Sequence, residues 1–522
     1  MTVKLLFTLT AFSIFSLSNS LRIFAVLSFG SHSHFTLGNS ILETLHEGNH
    51  EITVVTPYLR KLPMKNFREI STADTLDKFK NDQLFDGFDF RKMSPFDMMK
   101  FIYSMGDVTV DTYLSHPNVQ KLMRSGESFD ICILENFNTE AMMGLVDKFN
   151  CTLITYTTFV VVTWIDDMAG NISPASYVPH PFLDYTDKMP FTERLINAMT
   201  FNIEKLLYHF DHLPKQQKLF KKYFPDALRS LDEIRSNSAI IFMNNHVSAS
   251  SPRPYLPNMI EVGGIHVRPA KPLPKHIQEY LDAATDGAII FSMGSIIQAS
   301  KWPEHKREAF VTAFEKLKLK VLWKYENDTL PNKPDNVMIS PWIPQRDALA
   351  HPNVKLFISH GGKLGTTEAF YEGVPVLGIP IYGDQMMNIA KFASHGSSIQ
   401  ILYEDINEKI LSVALNEILN NPKYMKNAKN FAARFKDRPL TPQQSVVYWT
   451  EFAARNRGAQ YLKSAANDMS FLQLHLIDVY FVILSAIAAV LLLVYKCMKF
   501  LLLPVKSSVN TKVNRRNSKK SQ

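Results

Sequence analysis

At 522 residues, 46% of them hydrophobic and 20% charged, the chain is long enough for two full domains plus extensions. Its net charge of +8 suggests a nucleic-acid partner only until the charges are placed: eight Lys and Arg and no acid lie between Lys496 and Gln522, so residues 1–495 balance to zero and nothing suggests a nucleic-acid surface on the body. Three cysteines, one of them at 497, exclude a disulfide scaffold and leave open whether Cys132 and Cys151 pair.

In chain order, residues 1–20 read as a secretory leader: Lys4, an apolar run over 5–17, then the small residues Ser18, Asn19 and Ser20. A first βαβ unit follows, with a buried strand over 22–28 (RIFAVLS), a loop over 29–35, a helix over about 38–47 and a second strand over 51–56. The loop carries Ser31-His32-Ser33-His34 where a doubly wound fold collects its functional groups. Either histidine suits proton transfer at neutral pH, whereas zinc would need further ligands that the neighbourhood does not supply. Residues 129–134 (FDICIL) form another strand, running into Glu135-Asn136. Helical segments rich in Phe and Met, such as FDMMKFIYSMG and FNIEKLLYHF, suit either ordinary packing or an adaptable apolar pocket. Residues 239–244 read as the last strand of the first domain and PRPYLP, 252–257, as a linker. The second domain opens on a strand at 288–293, turns at Gly294-Ser295, and continues with a helix over 303–316 and a strand over 320–324.

The most informative stretch is 342–385, WIPQRDALAHPNVKLFISHGGKLGTTEAFYEGVPVLGIPIYGDQ. An apolar run over 354–358, the turn Ser359-His360-Gly361-Gly362, a helix opening near Thr366 and a second apolar run over 374–381 make a strand, glycine turn and helix N-terminus, which presents free N–H groups to a diphosphate. Trp342 can stack on a base with Gln345 at its edge, Glu368 in the first helical turn can take ribose hydroxyls, and Asp384-Gln385 can hold a sugar. Taken singly, each has an ordinary structural reading: a core aromatic, a first-turn charge, an N-cap for QMMNIAKFA.

Taken together, Trp342, Gln345, His360-Gly361-Gly362, Glu368 and Asp384-Gln385 resemble the long signature of the UDP-glycosyltransferases, the family that includes the vertebrate UDP-glucuronosyltransferases. The resemblance implies a GT-B fold, two doubly wound Rossmann-like α/β domains, with no cofactor beyond the co-substrate UDP-sugar and no metal. It implies that Trp342 and Gln345 hold uracil, Glu368 the ribose, His360, the glycines and Ser295 the diphosphate, and Asp384 and Gln385 the hexose. It makes His34 the catalytic base and Glu135 its orienting carboxylate. Two departures stand out: Glu135 replaces an Asp of the vertebrate pattern, and Leu364 an Asn. Glucuronosyl members carry an Arg near the end of the strand before the linker; Asn244 stands there, which favours UDP-glucose.

After the signature, helices over 406–419 and 441–465 lead back towards the first domain, and residues 479–495 contain no charge and approach bilayer length. The basic segment beyond marks the cytosolic side, so the body is expected to be lumenal. Lys519-Lys520, three and four places from the end, match the dilysine signal that returns type I membrane proteins to the endoplasmic reticulum. Asn150, Asn171 and Asn327 open glycosylation sequons. The expected organisation is a leader (1–20), an acceptor domain (21–250), a UDP-sugar domain (251–440), a return helix and membrane-proximal segment (441–470), a membrane span (476–495) and a basic tail (496–522). The expected partners are a UDP-sugar, a small lipophilic acceptor and the membrane, with a homo-oligomer left open. The alternatives are UDP-glucuronate as donor, or a lapsed enzyme that only binds. A serine hydrolase is set aside: the one glycine pair at G-x-S-x-G spacing, Gly361 and Gly365, flanks Lys363.

Overall fold

A computed structural model describes residues 20–76 and 93–502. The leader up to residue 19, the end of the basic tail from 503 and Lys519-Lys520 lie outside the described residues. The chain up to Ser464 forms one compact unit and residues from Ala465 onward a second.

The compact unit holds two sheets. The first has strands β1 (Arg22–Val26), β2 (Glu51–Thr56), β3 (Phe67–Ser71), β4 (Ile131–Glu135), β5 (Thr152–Thr157), β6 (Ile240–Met243) and β7 (Met259–Glu261), in the order β3-β2-β1-β4-β5-β6-β7. The second has β8 (Ala288–Ser292), β9 (Lys320–Lys324), β10 (Val337–Ser340), β11 (Val354–Ser359), β12 (Val376–Gly378) and β13 (Ser398–Gln400), in the order β10-β9-β8-β11-β12-β13. Every pairing is parallel. Central strands such as β8, AIIFS, are buried throughout because helices cover both faces, which is why they read as unbroken apolar runs. Both sheets reverse direction of growth at their centre, between β1 and β4 and between β8 and β11. At such a switch point the flanking connections leave on opposite faces and open a crevice at the strand C-terminal ends.

The helices used below are α1 (His32–Glu47), α2 (Pro95–Ser115), α3 (Phe191–Leu207), α4 (Glu304–Glu315), α5 (Lys363–Glu372), α6 (Gln385–Ser394), α7 (Glu408–Asn420), α8 (Pro442–Arg455) and α9 (Ile477–Leu502). Several boundaries move from their sequence expectations. Helix α1 opens at His32, not near Gly38, so both histidines belong to its first turn. Its polar start is carried by the burial of Leu37, Ile41 and Leu45 against the core, while the Thr36 and Ser40 hydroxyls are satisfied by the carbonyls of His32 (2.8 Å) and Thr36 (2.7 Å). Helix α5 opens at Lys363, with Gly362 at its N-cap, which moves Glu368 out of the first turn and into the second. The first sheet does not end at β6: residues 259–261 pair with 241–243, so the prolines of PRPYLP sit in the β6–β7 loop. Helix α8 stops at Arg455 instead of reaching 465, because Arg457, Gly458 and Ala459 turn left-handed.

Cys132 in β4 and Cys151 just before β5 form a disulfide, with 5.7 Å between their Cα atoms. In the second unit, α9 has 26 residues and a mean hydropathy of 2.7 over its most apolar stretch, long and apolar enough to cross a membrane.

Candidate active site

The two switch points face one cleft of about 390 Å³, lined from the first sheet by the β1–α1 turn and from the second by the turns after β8 and β11.

On the first side, His34 projects from α1 to the end of β4, where its Nδ1 lies 2.5 Å from Glu135 Oε1. The extra methylene of Glu over Asp is accommodated, and the carboxylate reaches the ring. Thr158, just past β5, completes the group: its hydroxyl donates to the same Oε1 at 3.0 Å and lies 3.2 Å from His34 Nδ1. His34 and Glu135 are buried, at 8% and 4% exposure. Phe29, Phe137 and Phe159 pack around the imidazole with centroids 4.4, 4.9 and 5.8 Å away. With Glu135 fixed on Nδ1, the proton sits there and Nε2 carries the lone pair. His32 differs. Its ring packs edge-on to Trp342 at 5.3 Å and its Nδ1 lies 3.2 Å from Thr36 Oγ1; burial lowers its pKa. His34, the histidine that the sequence reading favoured, is thus the one placed beside Glu135. Thr158 and the aromatic frame escaped the sequence reading; the only trace was a run of threonines at the C-terminal end of an apolar segment.

On the second side, the turns after β8 and β11 are built alike. Ser292 Oγ accepts from Gly294 N at 3.3 Å and Ser359 Oγ from Gly361 N at 3.3 Å, and both glycines have left-handed φ, +80° and +86°. His360 is held between Gly294 and Gly362: a Cβ at Gly294 would lie 2.6 Å from its Cε1, and one at Gly362 would collide with its Nε2. Burial, with Lys324 nearby, lowers its pKa to about 4, so the ring is neutral at pH 7, and its Nδ1 is buried without a hydrogen-bond partner among the described residues. Ser295 lines the cleft beside it.

Trp342 is 54% exposed and is therefore not the core aromatic that it could have been. Gln345 Nε2 donates to Glu368 Oε2 at 2.7 Å, and burial raises the Glu368 pKa to about 7 against the pull of Gln345 and Arg346. Asp384 stands at the N-cap of α6 but makes no capping bond. Its Oδ2 instead accepts at 2.9 Å from Asn388 Nδ2, which also donates to Gly361 O at 3.0 Å, locking the carboxylate to the glycine turn. Burial raises the Asp384 pKa, while Asn388 and Lys363 draw it back. Gln385 Oε1 accepts from the N–H groups of Ile381 and Tyr382 at 2.8 and 3.1 Å, which turns its amide nitrogen elsewhere. Asn388 and buried Lys363 are further side chains that the sequence reading passed over. Leu364 lines the cleft, and its carbonyl accepts from His266 Nε2 at 3.3 Å.

Asn244 is not where the donor argument needs it. It is 1% exposed, donates to Thr158 O at 2.9 Å and is not among the residues lining the cleft. The three sequons also differ. Asn150 and Asn327 are exposed, whereas Asn171 Nδ2 donates to Asp166 Oδ1 (2.7 Å) and Pro254 O (3.2 Å), and the Ser173 hydroxyl accepts from Arg253.

With this geometry in hand, comparison with known proteins is decisive. The family model described as UDP-glucoronosyl and UDP-glucosyl transferase matches residues 25–510. The chain belongs to the UDP-glycosyltransferase family. It is 36% identical over 494 residues to UDP-glycosyltransferase UGT5 of Dactylopius coccus, covering 94% of each chain. It is 30% identical over 495 residues to UDP-glucuronosyltransferase 2A2 of Mus musculus, covering 90% of this chain and 92% of the relative. Among solved structures, a UDP-glucose:anthocyanidin 3-O-glucosyltransferase in complex with UDP matches with a TM-score of 0.53 at 14% identity, over 84% of this chain and 99% of that one. Spinosyn forosaminyltransferase SpnP gives 0.54 at 16% identity over 83% and 99%. The fold is therefore GT-B and the protein is a glycosyltransferase that takes a UDP-sugar as co-substrate.

Proposed function

We propose that this UDP-glycosyltransferase transfers glucose from UDP-glucose to a hydroxyl of a small lipophilic acceptor with inversion at the anomeric carbon. The observation that carries the reading is that His34 and Thr158, with Glu135 held behind the His34 ring, share one cleft with Trp342, Gln345, His360, Gly362, Glu368, Asp384 and Gln385 of the donor signature, and that the first side of this cleft is apolar (Phe29, Met98, Phe101, Ile102 and Phe137). His34 Nε2 takes the acceptor proton as the oxygen attacks C1, and Glu135 stabilises the imidazolium that forms. UDP leaves from the opposite face of the sugar. The N–H groups of the two glycine turns and of the α5 N-terminus, with neutral His360 as a single donor, offset the charge on its diphosphate. Trp342 and Gln345 take the base, Glu368 the ribose and Asp384 and Gln385 the hexose. The acceptor belongs to the first half of the body and the donor to the second.

A neutral hexose suits Asp384, which would repel a sugar carboxylate. A relative from Dactylopius coccus named UDP-glucosyltransferase 2, 32% identical over 476 residues, supports the same choice. UDP-glucuronate is the second reading, favoured by buried Lys363 at the sugar end of the cleft. Anchoring by α9, with the body in the lumen of the endoplasmic reticulum, is supported by the Cys132–Cys151 disulfide, which suits an oxidising compartment, and by exposed sequons at Asn150 and Asn327.

The test uses membranes containing the expressed protein, a panel of phenols and apolar alcohols, and each donor in turn, with conjugate mass and UDP release recorded. Conjugates from UDP-glucose alone are expected; conjugates from UDP-glucuronate would keep the mechanism and overturn the donor. His34→Ala should bind UDP as the parent does and lose at least a hundredfold in turnover. Undiminished transfer by that variant would remove His34 as the base.

A further inference from the structure

Lys363 stands where the fold alone gives a cation no place. It is the first residue of α5, directly after Gly362 at the N-cap, so its side chain leaves from the positive end of a helix, where a carboxylate is favoured and an ammonium is not. It is 9% exposed, and burial lowers its pKa because a desolvated ammonium is penalised. Buried lysines are ordinarily paired. The two others among the described residues are: Lys306, on α4, donates to the carbonyls of Tyr403 (2.7 Å) and Glu404 (3.2 Å), and Lys324 donates to Glu326 Oε1 at 2.8 Å. The Lys363 ammonium makes neither a hydrogen bond nor an ion pair with any described residue. Asp384 and Glu261 are near enough to favour its charge, yet Asp384 is bonded to Asn388 and Glu261 accepts from Asn245 at 2.7 Å.

A side chain that breaks the rules of burial and of helix electrostatics together points to a ligand, and Lys363 lines the donor cleft beside Gly362, Gly383, Asp384 and Gln385. The surrounding charges put its ammonium at the hexose end. Beyond burial, the cation that lowers the pKa of His360, in the diphosphate turn, is Lys324. Lys363 instead helps to draw back the carboxyls of Asp384 and Glu261, both raised by burial, and adds to the lowering of His246 by burial and Arg438. Asp384 commits its Oδ2 to Asn388, and Oδ1 remains as an acceptor. A carboxylate and an ammonium side by side match a group that donates to the first and accepts from the second. A hydroxyl does both, whereas a sugar carboxylate only accepts and meets the charge of Asp384.

We propose that Lys363 reads the hexose of the UDP-sugar: its ammonium donates to a sugar hydroxyl that in turn donates to Asp384. The residue then determines affinity for the neutral hexose and not for UDP. This rests on the glucose reading given above and deepens it, since the pair selects an uncharged sugar carrying a free hydroxyl at that place.

The test is titration calorimetry of the full chain in detergent, without acceptor, using UDP, UDP-glucose and UDP-glucuronate on the parent, Lys363→Met and Lys363→Gln. Met keeps the unbranched apolar stem and removes the charge, and Gln keeps a neutral donor. The readout is the affinity for UDP-glucose divided by that for UDP, which cancels changes in the folded fraction and in the diphosphate site. Lys363→Met is expected to lower this ratio about tenfold or more and Lys363→Gln about threefold, with UDP affinity unchanged in both. Should Lys363→Met fail to fold, the Lys363→Gln ratio decides alone. A ratio equal to the parent's would overturn the proposal and leave glucose as the donor. Equal losses for UDP and UDP-glucose would overturn it by moving the ammonium to the diphosphate. A parent that prefers UDP-glucuronate, with that preference lost in Lys363→Met, would bring down the glucose reading and this proposal together and assign Lys363 to a sugar carboxylate.

Discussion

Glu368 shows how a single side chain can serve a ligand at a cost to the fold. Burial sets its carboxyl near pKa 7 against an ordinary value of 4.5, with Gln345 and Arg346 returning only part of the lost hydration. The carboxylate is disfavoured in the folded protein, so the penalty is small below about pH 4.5, grows as pH rises and is complete above about 7. Glu368→Gln removes the titration. Its stability relative to the parent, by urea unfolding in detergent, should improve by about 2 kcal/mol between pH 5 and pH 8, a figure reduced from the full shift because the side chain is only half-buried. UDP affinity should move the other way, since a carboxylate offers two acceptor oxygens to vicinal hydroxyls and an amide one. A stability difference that does not change with pH would mean that Glu368 is already ionised in the apo fold, and unchanged UDP affinity would take it away from the ribose.

At the scale of the element, the informative unit is the turn that follows a central strand. Gly294 has φ +80°, and a Cβ there would press within 2.6 Å of the His360 ring. Gly126 has a similar φ, +73°, with nothing within 4 Å of its would-be Cβ, and it lies on the surface. The pair separates backbone strain from crowding. Both Gly→Ala changes should cost about 1 kcal/mol for the left-handed backbone, but only Gly294→Ala should displace His360 and weaken UDP binding, by about tenfold or more in titration calorimetry. Equal UDP affinities in the two variants would mean that the His360 position does not matter to the donor. The same turns explain what the sequence could and could not disclose. The 342–385 signature was legible because the donor residues fall within one short stretch of chain around a strand, a glycine turn and a helix, and β1, β2, β4, β8, β9 and β11 were legible as buried apolar runs. The short edge strands β3, β7, β10 and β13 were not, since three to five half-exposed residues carry no run. Thr158 and Asn388 escaped for another reason: each acts through a partner more than twenty residues away or on a neighbouring element, and only the fold brings Thr158 to Glu135 or Asn388 to Gly361. Counting along the chain placed Asn244 at the end of a strand but could not disclose that its side chain is buried and bonded to Thr158 O.

For the whole molecule, the decisive element is the last helix of the body. The sequence reads the stretch that holds α8 as a return helix leading back towards the first domain, and its buried face lies in the core of that half. Val446 and Ala453 are fully buried in the core formed by β1, β4 and α1, alongside Leu37, Ile41 and Ile133. The crossing is fastened by Arg438 Nη1 donating to Gly263 O and Gln443 Nε2 to Ile265 O, both at 3.1 Å. The chain therefore closes a loop, from the first sheet to the second and back, and the core of the first sheet is incomplete without the return. Burial of the α8 side chains and of the surface they cover contributes on the order of 5 kcal/mol, similar to the net stability of an ordinary domain. Two truncations make this measurable. A chain from residue 21 to Ser464 keeps α8 and loses only the second unit, so it should remain folded and bind UDP with the affinity of the full protein. A chain from residue 21 to Leu440 keeps every residue of both sheets and the entire donor signature, yet should expose the α1 face, lose cooperative unfolding and lose UDP binding. If the shorter chain binds UDP undiminished, the second half folds without the return helix, and α8 would be a tether laid on a finished body, not the element that joins its two halves.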